Sequence, residues 1–386
     1  MAGLRGWMAS SRLQSVDSLR GIAALAVVVD HAVLHAHLTT AASGTVLWIQ
    51  TVLRRGDLGV SLFFVISGFC IHLTAASGRQ FTALQFWKRR LRRLYPPYFV
   101  ALVCCMAIVT LGVRAHLHAA ILDYPEPRLG YVGLDFLAHA TMLHGLVPLF
   151  DRMGGDPPFW SLAREEYYYA LYLPLLLLCR RRGFSFVGGA ITLSVLASWI
   201  LYSTGQTVLK SALFSIAMWS QWLLGMIAVE AYCGRIRLPR LLTQKTLVPV
   251  WGVLGLLAER FAPPLAVLLF GLCFFQMLNW AVTLEKSGRW PQNRLLVWLS
   301  GVGVFSYSLY LVHNPLVGLI SRGLGSFGAS DRTFEFTVTC LIIFVSAVCA
   351  GRFFFWAVER HFLNPGALME RGRASGPAPT AGLSET

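Results

Sequence analysis

An arginine and a histidine stand eleven residues apart in the apolar stretch DSLRGIAALAVVVDHA, residues 17 to 32. Eleven residues make three helical turns plus about 20°, so Arg20 and His31 point to the same face, ~16 Å apart along the axis. Charged groups at hydrocarbon depth are costly and usually serve a function inside the protein. One face of this helix would then hold a cation at the cytoplasmic edge and an imidazole near the middle of the membrane. The alternative is a boundary arginine that reaches the head groups, together with a packed histidine.

A second set of candidate residues lies in the basic stretch FWKRRLRRLYPPYFV, residues 86 to 100. We predict that the basic residues lie on a cytoplasmic turn at 77–94, before an apolar span, with Arg90 and Arg93 facing the same way one turn apart. The planar guanidinium group binds phosphate with two parallel hydrogen bonds, which indicates a phosphate site. A topology anchor that touches anionic lipid head groups explains the same composition.

Two further stretches place polar groups inside apolar runs. In PFWSLAREEYYYALYLPLLLL, residues 158 to 178, Glu165 enters a span beside several tyrosines, and the helix dipole alone would favour a carboxylate there. In FSYSLYLVHNPL, residues 305 to 316, Tyr307, Tyr310 and His313 recur every three residues along one side of a span. Polar atoms along one face of a membrane helix indicate a lined cavity.

The composition identifies an integral membrane protein. Of the 386 residues, 56% are hydrophobic and 13% are charged, and the mean hydropathy is +0.60, which a water-soluble domain of this size could not bury. The net charge of +15 comes from short Lys and Arg clusters between apolar runs, where topology signals lie, so no nucleic-acid partner is expected. The eight cysteines contain no CxxC pair, and no metal site is expected.

Apolar runs of about 20 residues predict an all-α polytopic bundle of about ten transmembrane helices. The runs lie near 19–38, 58–76, 95–113, 165–179, 186–203, 212–232, 246–258, 263–283, 298–320 and 335–358. The positive-inside rule places most loop Lys and Arg residues on one side if 131–150 is a re-entrant or interfacial outer element, and then both termini are cytoplasmic. We predict a membrane domain over residues 1–363 and a disordered cytoplasmic tail over residues 364–386. In GDLGVSLFFVISGFC, the small residues Gly59, Ser67 and Gly68 are expected to pack helices together by letting their backbones approach closely.

These stretches, in this order, resemble the acyltransferase-3 family, the OafA/YrhL-like integral membrane O-acyltransferases. Arg20 with His31 matches the family's R-x10-H, and GVSLFFVISGF matches its second span. Arg90 with Arg93 matches its RxxR before Tyr-Pro, and WSLAREEYYY matches its W-S-L-x-x-E motif with Glu165 as the glutamate. SYSLYLVHNPL and VERHF match its last two elements, so the resemblance covers roughly residues 14 to 363.

The resemblance implies ten spans in the cell (inner) membrane, acyl-CoA as donor substrate with no permanently bound cofactor, and transfer of an acetyl or other short acyl group. The acceptor would be a hydroxyl, commonly on a sugar of an envelope polysaccharide, a glycolipid or a secondary metabolite. It also implies roles for the matched residues. The expected roles are phosphate binding by Arg20, Arg90 and Arg93, catalysis by His31 and by Glu165 at the outer mouth, and substrate contact by Tyr307, Tyr310 and His313.

Two other classes of protein fit part of the pattern. A proton-coupled small-solute transporter would use Asp30, His31 and Glu165 as a relay. It gives the arginine cluster no function, and the sequence shows no inverted repeat. A non-catalytic lipid scaffold would need the basic cluster only for insertion or localisation.

Overall fold

The chain folds into a bundle of α-helices. The computed structural model describes residues 13–36, 44–77, 82–114, 129–146, 159–204, 210–324 and 332–363. These residues are almost entirely helical and contain no β-strand, which confirms the predicted all-α fold. The expected tail at 364–386 lies outside the described residues.

Thirteen helices of ten or more residues make up the described part of the chain. They are α1 (Gln14–His35), α2 (Gly44–Leu53), α3 (Leu58–Ala76), α4 (Ala83–Arg114), α5 (Leu129–Ala140), α6 (Phe159–Arg182), α7 (Ser185–Thr204), α8 (Lys210–Tyr232), α9 (Val248–Phe261), α10 (Pro263–Lys286), α11 (Arg294–Val304), α12 (Ser306–Leu324) and α13 (Arg332–Ala357). Short helical turns lie at Arg54–Asp57, His144–Leu146, Arg240–Thr243, Lys245–Leu247 and Glu359–Phe362.

The described residues do not confirm the number of spans that the sequence predicts. Among the described residues, six helical segments are long and apolar enough to cross a membrane, and the bent pair α11 and α12 raises the number to seven. The other three predicted spans coincide with α1, α6 and α9. Charged residues interrupt α1 and α6, and the 14 residues of α9 reach only about 21 Å, short of a hydrocarbon core of about 30 Å. The predicted total of ten is therefore not confirmed.

The span predicted at 298–320 is broken rather than continuous. The axes of α11 and α12 differ by 75°, because Phe305 leaves the helical conformation between them. Glu359, from the last helical turn, accepts hydrogen bonds from the backbone N–H of Ser308 at 3.2 Å and from its hydroxyl at 2.5 Å. A helix that begins inside a protein needs such partners for its free N–H groups, so the buried Glu359 stabilises the new start.

The first helix is capped by a carboxylate from a distant part of the chain. The backbone N–H groups of Gln14 and Ser15 each donate to Glu285 at 2.8 Å. Glu285 is in the last turn of α10, so this contact joins the start of α1 to the end of α10. The helix that carries Arg20 and His31 is thereby held at its first turn.

The predicted close packing of α3 is confirmed at two glycines. A Cβ atom on Gly68 would lie 1.9 Å from the carbonyl oxygen of Trp222 in α8, and one on Gly59 would lie 2.5 Å from that of Ala23 in α1. No side chain fits in these spaces, so α3 lies backbone to backbone against both neighbours.

The segment at 131–150 does not form a spanning helix in its described part. The 12 residues of α5 are about 18 Å long, too short to cross alone, as the sequence predicted. Hydroxyls of Tyr98, Tyr95 and Tyr167 donate to the carbonyls of residues 139, 140 and 142 at 2.9, 2.7 and 2.6 Å. These bonds satisfy carbonyls that a helix end leaves without intrahelical partners. Residues 147–150 lie outside the described residues.

The basic cluster lies within a helix and not in a turn. The sequence predicted residues 77–94 as a connection, but α4 begins at Ala83 and continues through Pro96 and Pro97. Arg90 and Arg93 are therefore fixed one turn apart on a rigid element, which is the relative orientation that their spacing predicted.

Candidate active site

A cavity of about 220 Å³, here called the central cavity, lies between α1, α3, α4, α6 and α12. Apolar side chains from α3, such as Phe63 and Phe64, form part of its wall. Its polar lining residues are Arg20, Ser67, Thr74, Arg90, Arg93, Ser161, Glu165, Tyr169, Ser306, Tyr307 and Tyr310. Six of the eight residues selected from the sequence thus meet in one place.

A second cavity, here called the arginine vestibule, adjoins the first. It measures about 230 Å³ and is lined by Ile71, Thr74, Phe86, Arg89, Arg90, Arg92, Arg93 and Phe362. Four of these residues, Ile71, Thr74, Arg90 and Arg93, also line the central cavity. The two cavities therefore meet at a shared pair of guanidinium groups.

The charge of the two cavities is strongly positive. Arg20, Arg90 and Arg93 line the central cavity, and Glu165 is the single carboxylate among its described lining residues. The described lining of the vestibule holds four arginines and no Asp or Glu. Like charges brought together in a poorly hydrated space repel unless an anion joins them. A cluster of guanidinium groups of this kind can bind an anionic group such as phosphate.

Glu165 lines the central cavity together with Arg90 and Arg93. Its carboxylate accepts hydrogen bonds from the hydroxyls of Ser67 and Tyr169. The indole N–H of Trp222 donates to the Ser67 oxygen at 3.2 Å, and the guanidinium of Arg90 lies 5.6 Å from the centre of the Tyr169 ring. The face of α6 that carries Glu165 therefore packs against α3, a contact that hydropathy does not reveal.

A hydrogen bond between Ser161 and Tyr310 lies at the wall of the central cavity. Their side-chain oxygens are 2.6 Å apart, and both residues line the cavity. Tyr307, one turn earlier on α12, donates its hydroxyl hydrogen to the carbonyl of Leu94 at 2.8 Å. The tyrosines at 307 and 310 thus line the cavity as the sequence predicted.

The two predicted histidines lie together, outside the lining of the central cavity. The rings of His31 and His313 are 5.0 Å apart at 85° to each other, and the Tyr310 ring lies 5.6 Å from that of His313. His313 is fully buried, whereas 18% of the His31 side chain is exposed. Tyr310 therefore stands between the central cavity and the imidazole pair.

A carboxylate lies beside His31. The Asp30 carboxylate is 3.8 Å from Nδ1 of His31 and 3.9 Å from Nε of Arg54, whose side chain is largely exposed. The exposed part of the His31 side chain lies near Asp30 and Arg54, and not in the lining of the central cavity.

Sequence reasoning missed several residues of this site. Ser67 was assigned to packing, and no role was given to Ser161, Tyr169 or Glu359. One signal was present, because Ser161, Glu165 and Tyr169 follow one another at four-residue spacing and so share one face of α6. The contacts of Ser67 and Glu359 are with residues 98 and 51 positions away, which no local pattern shows.

The bundle and its cavities define a multi-pass membrane protein with two arginine-lined cavities near a pair of imidazoles. The chain belongs to the acyltransferase-3 family, because the family model described as an acyltransferase domain matches residues 13–352. It is therefore a membrane acyltransferase, as the motifs indicated.

Two relatives match stretches of different length in this chain. The putative membrane-bound transacylase BcsY of Komagataeibacter xylinus is 29% identical over 317 residues, 79% of this chain and 73% of the relative. The O-acetyltransferase OatA of Staphylococcus aureus (strain NCTC 8325 / PS 47) is 30% identical over 171 residues, 43% of this chain and 24% of the relative.

A third relative carries a more specific name. The peptidoglycan O-acetyltransferase OatA of Listeria monocytogenes is 30% identical over 170 residues, 42% of this chain and 24% of the relative. The match with either OatA thus spans only about a quarter of that protein's length. No solved structure matches the chain.

Proposed function

We propose that the protein transfers an acetyl or other short acyl group from acyl-CoA to a hydroxyl group of a sugar. The observation that carries the proposal is that the arginine vestibule is continuous with the central cavity. The lining of the central cavity includes Ser161 and Tyr310, and Tyr310 lies next to the imidazole pair. Coenzyme A is a long molecule with phosphates at one end and a thioester at the other. The charge distribution of the two cavities fits that polarity.

The phosphate end of the donor is assigned to the vestibule. Arg89, Arg90, Arg92 and Arg93 offer several guanidinium forks, and Arg20 lines the central cavity. Charge-assisted hydrogen bonds to phosphate contribute about 1.5–3 kcal/mol each. The same arginines would enter the cytoplasmic leaflet if the positive-inside rule holds, which agrees with a donor that comes from the cytoplasm and with cytoplasmic termini in the inner membrane.

The thioester end is assigned to the wall formed by Ser161 and Tyr310. The pantetheine arm carries amide and hydroxyl groups that can bond to Glu165, Ser67 and Tyr169 along the central cavity. His31 then removes the proton from the acceptor hydroxyl, and Asp30 stabilises the charge that the imidazole acquires. Acceptance of the acyl group by His31 itself is the other reading of the same position.

The acceptor is assigned to the exposed side of His31, with its reacting hydroxyl in contact with the thioester carbonyl between Tyr310 and the imidazole pair. The exposed edge of the His31 ring, Asp30 and Arg54 supply donors and acceptors for hydroxyl groups. The names of the relatives favour a glycan, since one acts on peptidoglycan. Mass spectrometry of envelope glycans and secreted small molecules from a deletion strain would show which ester is lost.

The proposal is tested with labelled acyl-CoA, membranes that contain the protein and a panel of candidate glycans. We expect an acyl ester from the wild type, and a rate about 10²–10⁴-fold lower from His31→Gln, because general-base catalysis contributes that much. His361→Gln, at an exposed histidine, is the matched control. No ester from the wild type with any acceptor, or full transfer by His31→Gln, would reject the assignment.

The donor site is tested by the affinity for acyl-CoA. Arg90→Ala with Arg93→Ala should raise the KM for acyl-CoA by about 10- to 100-fold, since charge-assisted bonds to phosphate are lost. Lys88→Ala on the same helix, at an exposed residue outside both linings, should leave the KM unchanged. A lipid scaffold predicts instead that the arginine variant changes only the amount of protein in the membrane.

A further inference from the structure

The part of the central cavity that lies far from the arginine vestibule has an apolar wall on α3. The α3 residues that line both cavities are Ile71 and Thr74, whereas Val60, Phe63 and Phe64 line the central cavity alone. At 1.5 Å per residue, Phe63 lies about 16 Å from Thr74 along the helix axis. We call the wall formed by Val60, Phe63 and Phe64 the apolar end of the cavity.

Phe63 is in contact with the tyrosine at which the thioester is placed. The centres of the Phe63 and Tyr310 rings are 5.8 Å apart and the rings are inclined at 72°, which is an edge-to-face contact. Phe63 is half-buried, whereas Val60 and Phe64 are only 8% and 2% exposed. Phe63 is therefore the residue of the apolar end that presents the most surface to a ligand beside Tyr310.

The Phe63 ring is held in place by packing on neighbouring helices. It packs against a buried apolar cluster that contains Ala24 and Val28 of α1 and Leu309 of α12. Protein interiors are packed so closely that one additional methylene group forces side chains to shift. A ring that is supported in this way acts as a fixed wall.

The proposed reaction directs the acyl chain toward this wall. The carbonyl carbon of the thioester is bonded to the sulfur, which comes from the arginine vestibule, and it is attacked by the acceptor hydroxyl from the side of the imidazole pair. The acyl chain is the remaining carbon substituent and must point away from both. From a carbonyl beside Tyr310, that direction is toward the apolar end, where the chain meets the Phe63 ring.

We infer that Phe63 limits the length of the acyl group, so that the protein transfers acetyl in preference to longer chains. The inference rests on the proposed function and deepens it, because Phe63 selects the donor and takes no part in the bond changes. A methyl group fits between the carbonyl and the ring, whereas each further methylene needs space that the ring occupies. One methylene in an apolar pocket changes discrimination by about 10- to 200-fold.

The experiment measures kcat/KM for acetyl-, butyryl-, hexanoyl- and octanoyl-CoA, with the best acceptor of the glycan panel. We expect the wild type to use acetyl-CoA at least ~10-fold better than butyryl-CoA. Phe63→Ala opens space at the apolar end and should raise the butyryl-to-acetyl ratio of kcat/KM by ~10-fold or more. Phe63→Leu keeps an apolar side chain that supports the packing, and it should raise the same ratio by a smaller factor.

A control variant and a second measurement separate chain selection from a general loosening of the fold. Ile71→Ala also enlarges the cavity, but at its junction with the vestibule, so it should change kcat/KM for all four donors by the same factor. Isothermal titration calorimetry with S-ethyl-, S-butyl- and S-hexyl-coenzyme A needs no acceptor and no turnover. The dissociation constants should show the same order of preference, and Phe63→Ala should remove it.

The outcomes distinguish this inference from the proposed function. A wild type that makes no ester from any of the four donors refutes the proposed function and the limit on chain length with it. A wild type that makes ester refutes only the limit if it uses octanoyl-CoA as well as acetyl-CoA. The limit is also refuted if Phe63→Ala and Phe63→Leu keep the wild-type ratio, or if Ile71→Ala raises that ratio equally.

Discussion

Two hydroxyl groups of the central cavity form hydrogen bonds to the same residue, Glu165. Its carboxylate accepts from Ser67 and Tyr169, and Arg90 lies over the ring of that tyrosine. In a cavity with three arginines, this one negative charge also limits the mutual repulsion of the guanidinium groups. Its neighbour Glu166 lines a different cavity, with Tyr95 and Tyr167, although it is adjacent in the chain.

The two glutamates give a matched pair of variants. Glu165→Gln keeps the size of the side chain and removes the charge, so we expect kcat for acyl transfer to fall by at least ~10-fold as the charge-assisted bonds weaken. Glu166→Gln should leave kcat close to that of the wild type. Steady-state rates with labelled acyl-CoA test both. Equal losses in the two variants would contradict the special position of Glu165.

Two helices that carry site residues begin at turns whose backbone N–H groups bond to glutamates far away in the sequence. Glu285 caps α1, which carries Arg20 and His31, and Glu359 caps α12, which carries Tyr310 and His313. The caps come from residues far away in sequence, so the helices of the site are positioned by tertiary contacts and not by local propensity.

Removal of the first cap should destabilise the fold. Glu285→Ala leaves the N–H groups of Gln14 and Ser15 without their partner, and we expect a loss of about 2 kcal/mol in the free energy of unfolding, as for other bonds to charged groups. Glu259→Gln is the control, because its ion pair with Arg55 is partly exposed and should contribute under about 1 kcal/mol. Thermal unfolding in detergent compares the two. A melting temperature for Glu285→Ala no lower than that of the control would show that the cap is dispensable.

Helical spacing in the sequence predicted some positions of the site residues and missed others. The shared face of Arg90 and Arg93 followed from helical spacing, and so did the cavity lining by Tyr307 and Tyr310. The same spacing argument predicted that His313 lines the cavity, but it faces His31 instead. The difference arises because each three-residue step rotates the side chain by about 60° around a helix, so His313 lies about 120° around α12 from Tyr307.

The close contact of α3 with α8 fixes one wall of the central cavity. Gly68 lies against the backbone of Trp222, whose indole in turn bonds to Ser67 in the cavity. Tight packing of small residues stabilises helix pairs where lipid supplies no hydrophobic driving force between them. The position of Ser67 thus depends on a contact that spans the bundle.

A side chain at Gly68 should therefore prevent correct assembly. Gly68→Val forces α3 and α8 apart, and we expect little folded protein in detergent-solubilised membranes. Gly188→Val in α7 is the control, since a Cβ atom there meets nothing within 4 Å. Size-exclusion chromatography of the two variants measures the folded fraction. A normal monodisperse peak for Gly68→Val would contradict the backbone contact between these helices.

The central claim is that the donor spans the vestibule and the central cavity, with its thioester at the wall between Tyr310 and the imidazole pair. A cryo-EM map of the protein with a non-hydrolysable acyl-CoA analogue measures this directly. The account predicts density for the phosphates between Arg89, Arg90, Arg92 and Arg93, and the acyl carbonyl beside Tyr310. Phosphate density outside the arginine vestibule, or an acyl group remote from Tyr310 and His31, would contradict it.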